Sequence, residues 1–475
     1  MKILIINLPR YGIFSVTREG RCELILNHRV DTPATLLTIA SLLRNINYQI
    51  DFIDANGLNL SYKTIVKQLK SNKYDCTIFT FASQIIDHEL KICKIFKRIS
   101  PSCLTIGFSW YAKNYGREIL TEYKNIDVLI IEDPFSVIEK LIECLNNKGD
   151  LANVGGIAYR DNDNQIKVNP KIDIIKNFDE LPLPAYDLLT TFEPYYIYSP
   201  NLKPYALIYA GKGCPYGCRY CNVARTKYNS KSAQNIINEL KLLKKLGNIK
   251  YVWFFDEIFT LNRKKVIEVC NRIIKEKLRI KWLCDSRVDL VDKDLLNLMK
   301  KAGCIGISYG VESGSQKILD AMNKGITVET AEKALKWTRE AKIPIQLNLL
   351  LGYIGENKRT LKENEIYIRK TLPFMLQITT IHAMEGTEFM NIAIKNKWIE
   401  DTSDWKLNLT KTYKNLINYE PYNLNLRKYM KKFRKILYSN PKWWIYNFKT
   451  LITNSVLILP IISTFTKRFQ SINIL

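Results

Sequence analysis

Three cysteines on one short loop carry the most legible chemistry in this chain. They are Cys214, Cys218 and Cys221, in GKGCPYGCRYC, spaced C-x3-C-x2-C. A closed iron–sulfur cube takes four thiolates, so three on one loop hold three corners and leave the fourth iron open to a small ligand. Gly211, Gly213 and Gly217 let the backbone wrap a bulky inorganic body without Cβ clashes. Two other arrangements compete. A structural zinc site wants four ligands, commonly as paired C-x2-C units. Its fourth ligand would have to come from Cys270, Cys284, Cys304 or a distant histidine, none of them in a paired motif. Scattered core cysteines are the other arrangement. The spacing favours the cluster.

The run resembles the signature of the radical S-adenosylmethionine (SAM) enzymes. That resemblance implies an open iron that chelates the amino and carboxylate groups of SAM. It implies that an electron from the cluster cleaves the sulfonium to a 5′-deoxyadenosyl radical, or that SAM donates its methyl. Tyr220, just before the third cysteine, would pack near adenine. The cofactors carry the hard chemistry and the protein binds and orients them.

Further segments resemble one branch of that family, whose first domain is a cobalamin-binding Rossmann-like module. WFFDEIFT puts Asp256 and Glu257 where the resemblance implies acceptors for the SAM ammonium group. A solvated acidic pair is the alternative, opposed by the aromatic neighbours, among which an unpaired charge is costly. In WLCDSRVDLVD, Arg287 would meet the SAM carboxylate, which suits a guanidinium. AGCIGISYGVESGSQKILDAMNKG matches the branch's fourth-strand motif, with Glu312 between Gly310 and Gly314 as acceptor for the ribose hydroxyls. LNLLLGYIGE (347–356) resembles the fifth strand beside adenine. HAMEGTEF (382–389) resembles a P-G-T segment, with Glu385 where proline is usual. Beyond the cluster cysteines no catalytic residue is assigned.

These residues need elements to position them. Residues 1–150 alternate apolar strands (Lys2–Asn7, Gln49–Asp54, Cys76–Phe81, Leu104–Phe108, Val128–Ile131) with helical patterns such as Ala34–Arg44, where Pro33 suits the first turn and Thr32 the cap. That alternation predicts an α/β fold: a Rossmann-like, doubly wound parallel sheet. No G-x-G-x-x-G follows the first strand, so a dinucleotide site is not expected. Residues 151–200 read as a connector with a hairpin turning at Asn162-Asp163. Residues 201–400 read as a partial (β/α)6 TIM-type radical SAM barrel, with strands Tyr205–Ala210, Tyr251–Phe255, Ile280–Cys284, Gly306–Tyr309, Ile345–Leu351 and Leu376–Ile381. Working residues of such barrels lie at the carboxyl ends of strands, where the cysteine loop falls. Residues 401–475 read as a mostly helical C-terminal extension.

Whether the first domain holds cobalamin is left open. No D-x-H-x-x-G is present, so a histidine from beneath the corrin is not implied; the histidines are His28, His88 and His382. GFSWYAK (107–113) stands where the branch has a Gly-Gly loop, and IEDPF (131–135) where it has a glycine–acid–glycine turn. Trp110 and Tyr111 would have to point away. If cobalamin binds, Thr80, Ser83 and Gly107 at strand ends would line it.

The net charge of +25, from 71 Lys+Arg against 46 Asp+Glu, is spread along the chain and reads as compositional rather than as a nucleic-acid footprint. The start reads as a buried strand rather than a signal peptide, and the eleven cysteines fit a reducing cytoplasm. Ser455–Phe465 is too short to span a bilayer, which leaves peripheral membrane contact or packing on the barrel. The resulting expectation is a cytosolic radical SAM enzyme with a [4Fe–4S] cluster, SAM and cobalamin. It would methylate an unactivated carbon of a small-molecule or lipid-like substrate, fed by an electron donor such as flavodoxin or ferredoxin. Cobalamin-independent cyclisation or rearrangement, tRNA modification and a non-catalytic metal-cluster protein are the alternatives.

Overall fold

Strands of three or more residues are labelled in chain order. The first sheet grows from β1 (Lys2–Asn7), whose Ile3, Leu4, Ile5 and Ile6 are fully buried. An unbroken apolar run of this kind suits a strand covered on both faces. The computed structural model describes all residues except 21, 27, 28, 111, 170–176, 198–201, 400–404, 407–415, 417, 418 and 454–475. His28, Tyr111 and the apolar stretch 455–465 therefore lie outside the described residues.

After β1 a hairpin intervenes, β2 (Ser15–Glu19) with β3 (Cys22–Leu26). Then come β4 (Gln49–Asp54), β5 (Cys76–Thr80), β6 (Leu104–Phe108), β7 (Val128–Ile130), β8 (Ile157–Arg160) and β9 (Ile166–Asn169). The sheet order is β9-β8-β7-β6-β5-β1-β4. β4, β1, β5, β6 and β7 run parallel, and β8 and β9 add antiparallel. Order reverses at β1, which has β4 on one side and β5 on the other, so the switch point lies there. The hairpin expected in a connector is thus the edge of this sheet. The helix Ala34–Asn45 forms as expected, but Pro33 is its N-cap and makes no side-chain cap. Thr32 instead accepts the N–H of Leu207 at 3.0 Å.

The chain divides into two compact units. The first is residues 1–207 with 243–249 and 405–410, and the second is the remainder. The second sheet takes β10 (Tyr205–Ile208), β11 (Tyr251–Phe254), β12 (Lys281–Ser286), β13 (Cys304–Glu312), β14 (Ile345–Leu351) and β15 (Met375–Thr380) in sequential order. β11 to β15 pair parallel. Six strands in sequence order, with helices between them, make a partial barrel wall. Alternate side chains face the helix layer: Trp282 donates to the Ala302 carbonyl (2.9 Å), and Tyr309 bonds Thr338 (2.9 Å). The other face carries Trp253 donating to Asp285 (3.1 Å) and Asn348 donating to Ser308 (2.9 Å).

Two helices follow, Leu426–Tyr438 and Pro441–Thr453. Among the described residues, no helix is long and apolar enough to cross a membrane.

Candidate active site at the carboxyl ends of the second sheet

The cysteine loop leaves the end of β10 and closes on itself. Cys214 N–H donates to Thr226 Oγ1 (2.9 Å), and Thr226 N–H returns to the Cys214 carbonyl (3.0 Å). Arg225 N–H reaches the Tyr216 carbonyl (2.9 Å), and Cys221 N–H the Cys218 carbonyl (3.1 Å). Gly213 has φ +93°, and a Cβ there would sit 2.2 Å from the Lys227 carbonyl oxygen, so only glycine lets the two limbs pass. Cys218 is buried, while Cys214 and Cys221 are half-buried. Burial pushes the Cys214 thiol up. Among the described residues, no three His, Cys, Asp or Glu side chains are gathered so that they could hold a metal ion. Three reduced thiols on one self-braced loop are the donor set an open cluster needs, and in that chemistry they fit.

Asp256 and Glu257, just beyond β11, have different fates. Glu257 accepts the Gly213 N–H at 2.9 Å and so braces the loop. Asp256 is 1 % exposed; its Oδ1 accepts the Ala210 N–H (2.8 Å), while its Oδ2 is buried without a partner. Burial pushes its carboxyl up to about 6, against the pull of the Lys265 charge. A buried carboxylate oxygen with no donor awaits one, and an ammonium group would supply it.

Arg287 does not stand free for a carboxylate. Its Nε and Nη2 bind Asp289 (2.9 and 3.0 Å), Nη2 also donates to the Lys324 carbonyl (3.0 Å), and the guanidinium lies 3.6 Å from the Tyr216 ring centroid. It holds the cysteine loop from one side. The cation beside Glu312 is instead Lys324, which the sequence reading did not single out. Its buried ammonium donates to Glu312 Oε1 (3.1 Å) and to Tyr220 Oη (3.2 Å). Burial, with the Glu312 charge adding, holds the Tyr220 hydroxyl well above its ordinary range. Glu312 has φ +75°, sparsely populated for a non-glycine residue. A Cβ on Gly310 would lie 2.6 Å from Glu312 Oε1, so that glycine makes room for the carboxylate.

Residues 321–324 clamp the loop further. Arg219 N–H donates to the Met322 carbonyl (3.0 Å), and Asn323 Nδ2 to the Gly217 carbonyl (2.8 Å). Glu356, buried and pushed up to about 7 by that burial, accepts the Gly352 N–H (2.5 Å) and the Thr360 hydroxyl (3.3 Å), fixing the glycine turn after β14. The structure thus brings Cys214, Cys218, Cys221, Tyr220, Asp256, Glu257, Arg287 and Glu312 to one end of one sheet.

In the first unit the carboxyl edge is mostly self-satisfied. Arg18 and Glu89 form a buried ion pair, with Arg18 Nε 3.0 Å from Glu89 Oε1 and Nη1 3.0 Å from Asn7 Oδ1. Asp54 accepts from Asn7 (2.8 Å), Gly57 N–H (2.7 Å) and Tyr195 (2.6 Å). Thr80 is different: its hydroxyl, at the end of β5, is buried without a partner. Ser83 is buried one turn on. Gly107 makes room for core rings, since a Cβ there would meet Phe79 at 3.2 Å. Trp110 packs edge-on to Phe108, with centroids 6.4 Å apart. For a corrin ring, Thr80 and Ser83 fit as lining residues; Gly107 is engaged in packing.

Comparison with known proteins gives a consistent picture. Residues 208–364 match the radical SAM superfamily. An uncharacterized methyltransferase of Pyrococcus horikoshii is 26 % identical over 377 residues, covering 79 % of this chain and 81 % of that relative. An anaerobic magnesium-protoporphyrin IX monomethyl ester cyclase of Rubrivivax gelatinosus is 28 % identical over 354 residues, 72 % of this chain and 63 % of its own length. Among solved structures, the radical SAM methyltransferase TsrM of Kitasatospora setae, with cobalamin and a [4Fe–4S] cluster bound, superposes with a TM-score of 0.67 at 15 % identity, over 84 % of this chain and 76 % of that one. The fold is shared with it.

Proposed function

We propose that this chain, whose residues 208–364 match the radical SAM superfamily, is an enzyme that methylates an unactivated carbon of a small molecule with the help of a corrinoid. The observation that carries the reading is the convergence on one sheet end of three cysteine thiols, an orphaned buried carboxylate oxygen and the Lys324–Glu312–Tyr220 group. Cys214, Cys218 and Cys221 would hold the cluster, and Thr80 and Ser83 would line the corrin. When bound, these groups supply the electron that breaks the SAM sulfonium and a carrier for the methyl group.

The chain's own residues bind and orient. Asp256 Oδ2 accepts from the SAM ammonium group. Glu312 accepts from the ribose hydroxyls, in a cleft that Gly310 keeps open. Lys324 offsets the Glu312 charge and stands ready for the SAM carboxylate, a role in which it replaces Arg287. Tyr220 lies against the adenine side. Of these groups, Asp256 Oδ2 is the one that would otherwise be buried and unpaired, which is where such a bond counts most.

The relatives named as methyltransferases support methyl transfer, and the cyclase keeps ring closure as a second outcome of the same radical. The test is anaerobic incubation of the reconstituted protein with SAM and a reductant. The expected result is 5′-deoxyadenosine from the wild type and none from Cys218→Ala; its formation by the variant would sink the cluster assignment. Cobalamin stoichiometry after reconstitution decides the rest: near one per chain supports methyl transfer, and none leaves radical chemistry with SAM alone.

A further inference from the structure

The last two described helices present an unusual surface. In the helix Leu426–Tyr438, Leu426, Phe433, Ile436 and Leu437 are buried, as expected of a packed amphipathic helix. The helix Pro441–Thr453 does the reverse. Among its described side chains Trp443 alone is fully buried, its indole donating to the Pro373 carbonyl at 2.7 Å. Trp444, Ile445 and Phe448, neighbours on one side of the helix, are 41, 73 and 62 % exposed.

A helix that merely packed on the barrel would turn those residues inward. The charge of this stretch of sequence is one-sided, although Lys432 pairs with Glu365 of the helix Lys358–Thr371 at 2.9 Å. From Pro421 to Leu475 the chain has ten lysines and arginines and no aspartate or glutamate. Arg427, Lys428, Lys431 and Lys435 are exposed on the preceding helix.

We propose that this pair of helices docks on an anionic membrane surface. The Trp444–Ile445–Phe448 face would enter the headgroup region, and the basic helix would sit against lipid phosphates. Indole and aliphatic side chains flanked by lysine and arginine are the composition such a surface selects. Nucleic acid would use the same charges but give no reason to expose Ile445 and Phe448. The proposal is independent of the radical chemistry, because it uses neither the cluster nor SAM.

The experiment is sedimentation of the full-length reconstituted protein with phosphatidylcholine vesicles, with and without phosphatidylglycerol, at low and high salt. Binding is expected to the anionic vesicles, falling with salt. Ile445→Glu with Phe448→Glu should weaken it at least ~10-fold, and Lys428→Glu about fivefold. Trp444 fluorescence should be quenched by brominated anionic lipid. The proposal is overturned if neither vesicle binds. It is equally overturned if binding occurs but ignores the Ile445 and Phe448 changes, or if nuclease removes it. A Trp444 shielded from brominated lipid, as it would be under the chain's own residues 454–475, also overturns it. All substituted side chains are exposed, and circular dichroism with the thermal unfolding midpoint of the same variants reports that they fold.

Discussion

Both units end a parallel sheet in polar side chains, and they treat those groups in opposite ways. At the carboxyl edge of the first unit Arg18, Glu89, Asn7 and Asp54 satisfy one another, with Thr80 Oγ1 the exception. At the edge of the second, Asp256 keeps a bare oxygen, Glu312 sits at positive φ, and Lys324 is buried between two partners. Polar groups that complete each other make a scaffold. Polar groups held incomplete, at a cost to the fold, are where a ligand contributes.

The largest expected effect tests the scaffold half. Arg18→Met leaves Glu89 buried and unpaired, a loss of about 3–5 kcal/mol, read by urea or thermal unfolding. SAM affinity of the folded fraction should stay at the wild-type value. If affinity falls along with stability, the two edges are not separate in role.

Lys324→Met is the counterpart. It strips the partner from Glu312 and from Tyr220, and equilibrium dialysis should show SAM binding ~100-fold weaker, or about 2.7 kcal/mol. Iron and sulfide content should stay near wild type, and Lys324→Arg should recover most of the affinity. Iron lost in parallel would mean that Lys324 only braces the loop.

The Asp256 carboxyl offers a pH test. Burial raises its pKa to about 6, so it is charged above that value and neutral below. The ammonium group of SAM prefers the charged form. SAM affinity should therefore be flat between pH 6 and about pH 7.5, where the α-ammonium itself begins to titrate, and fall by up to roughly tenfold per unit below pH 6. The sign for stability is opposite: a carboxyl whose folded pKa lies above the unfolded one favours the folded state at low pH, and this contribution is lost as pH rises from about 4 to about 6. Asp256→Asn should remove both slopes. A pH profile unchanged in that variant would place the ammonium elsewhere.

How much of this was legible without coordinates follows from range. The cysteine loop, the strand–helix alternation that builds each sheet and the positions of Asp256 and Glu312 were readable, because each rests on local spacing or on that alternation. Lys324 was not: it meets Tyr220 across 104 positions, through a turn that carries no pattern of its own. The separate fates of Asp256 and Glu257 depend on which faces the N–H groups of Ala210 and Gly213. Arg287 looked available because Asp289, two residues on, gives no sign in sequence that it will fold back. The β8–β9 hairpin was visible, but its addition to the first sheet needed long-range pairing with β7.

Thr80 is the sharpest place to press the comparison, because it breaks the rule of its own unit. A buried hydroxyl without a partner costs the fold about 1 kcal/mol or more, and valine keeps its shape while removing the cost. Thr80→Val should thus raise the unfolding midpoint slightly in the absence of corrinoid. If the hydroxyl is kept for a corrin, the same change should weaken hydroxocobalamin binding by ~3–10-fold, the worth of one hydrogen bond. Stabilisation joined to weaker binding would place Thr80 with the incomplete groups of the second unit. Stabilisation alone would make it a packing defect and leave the first edge a scaffold throughout.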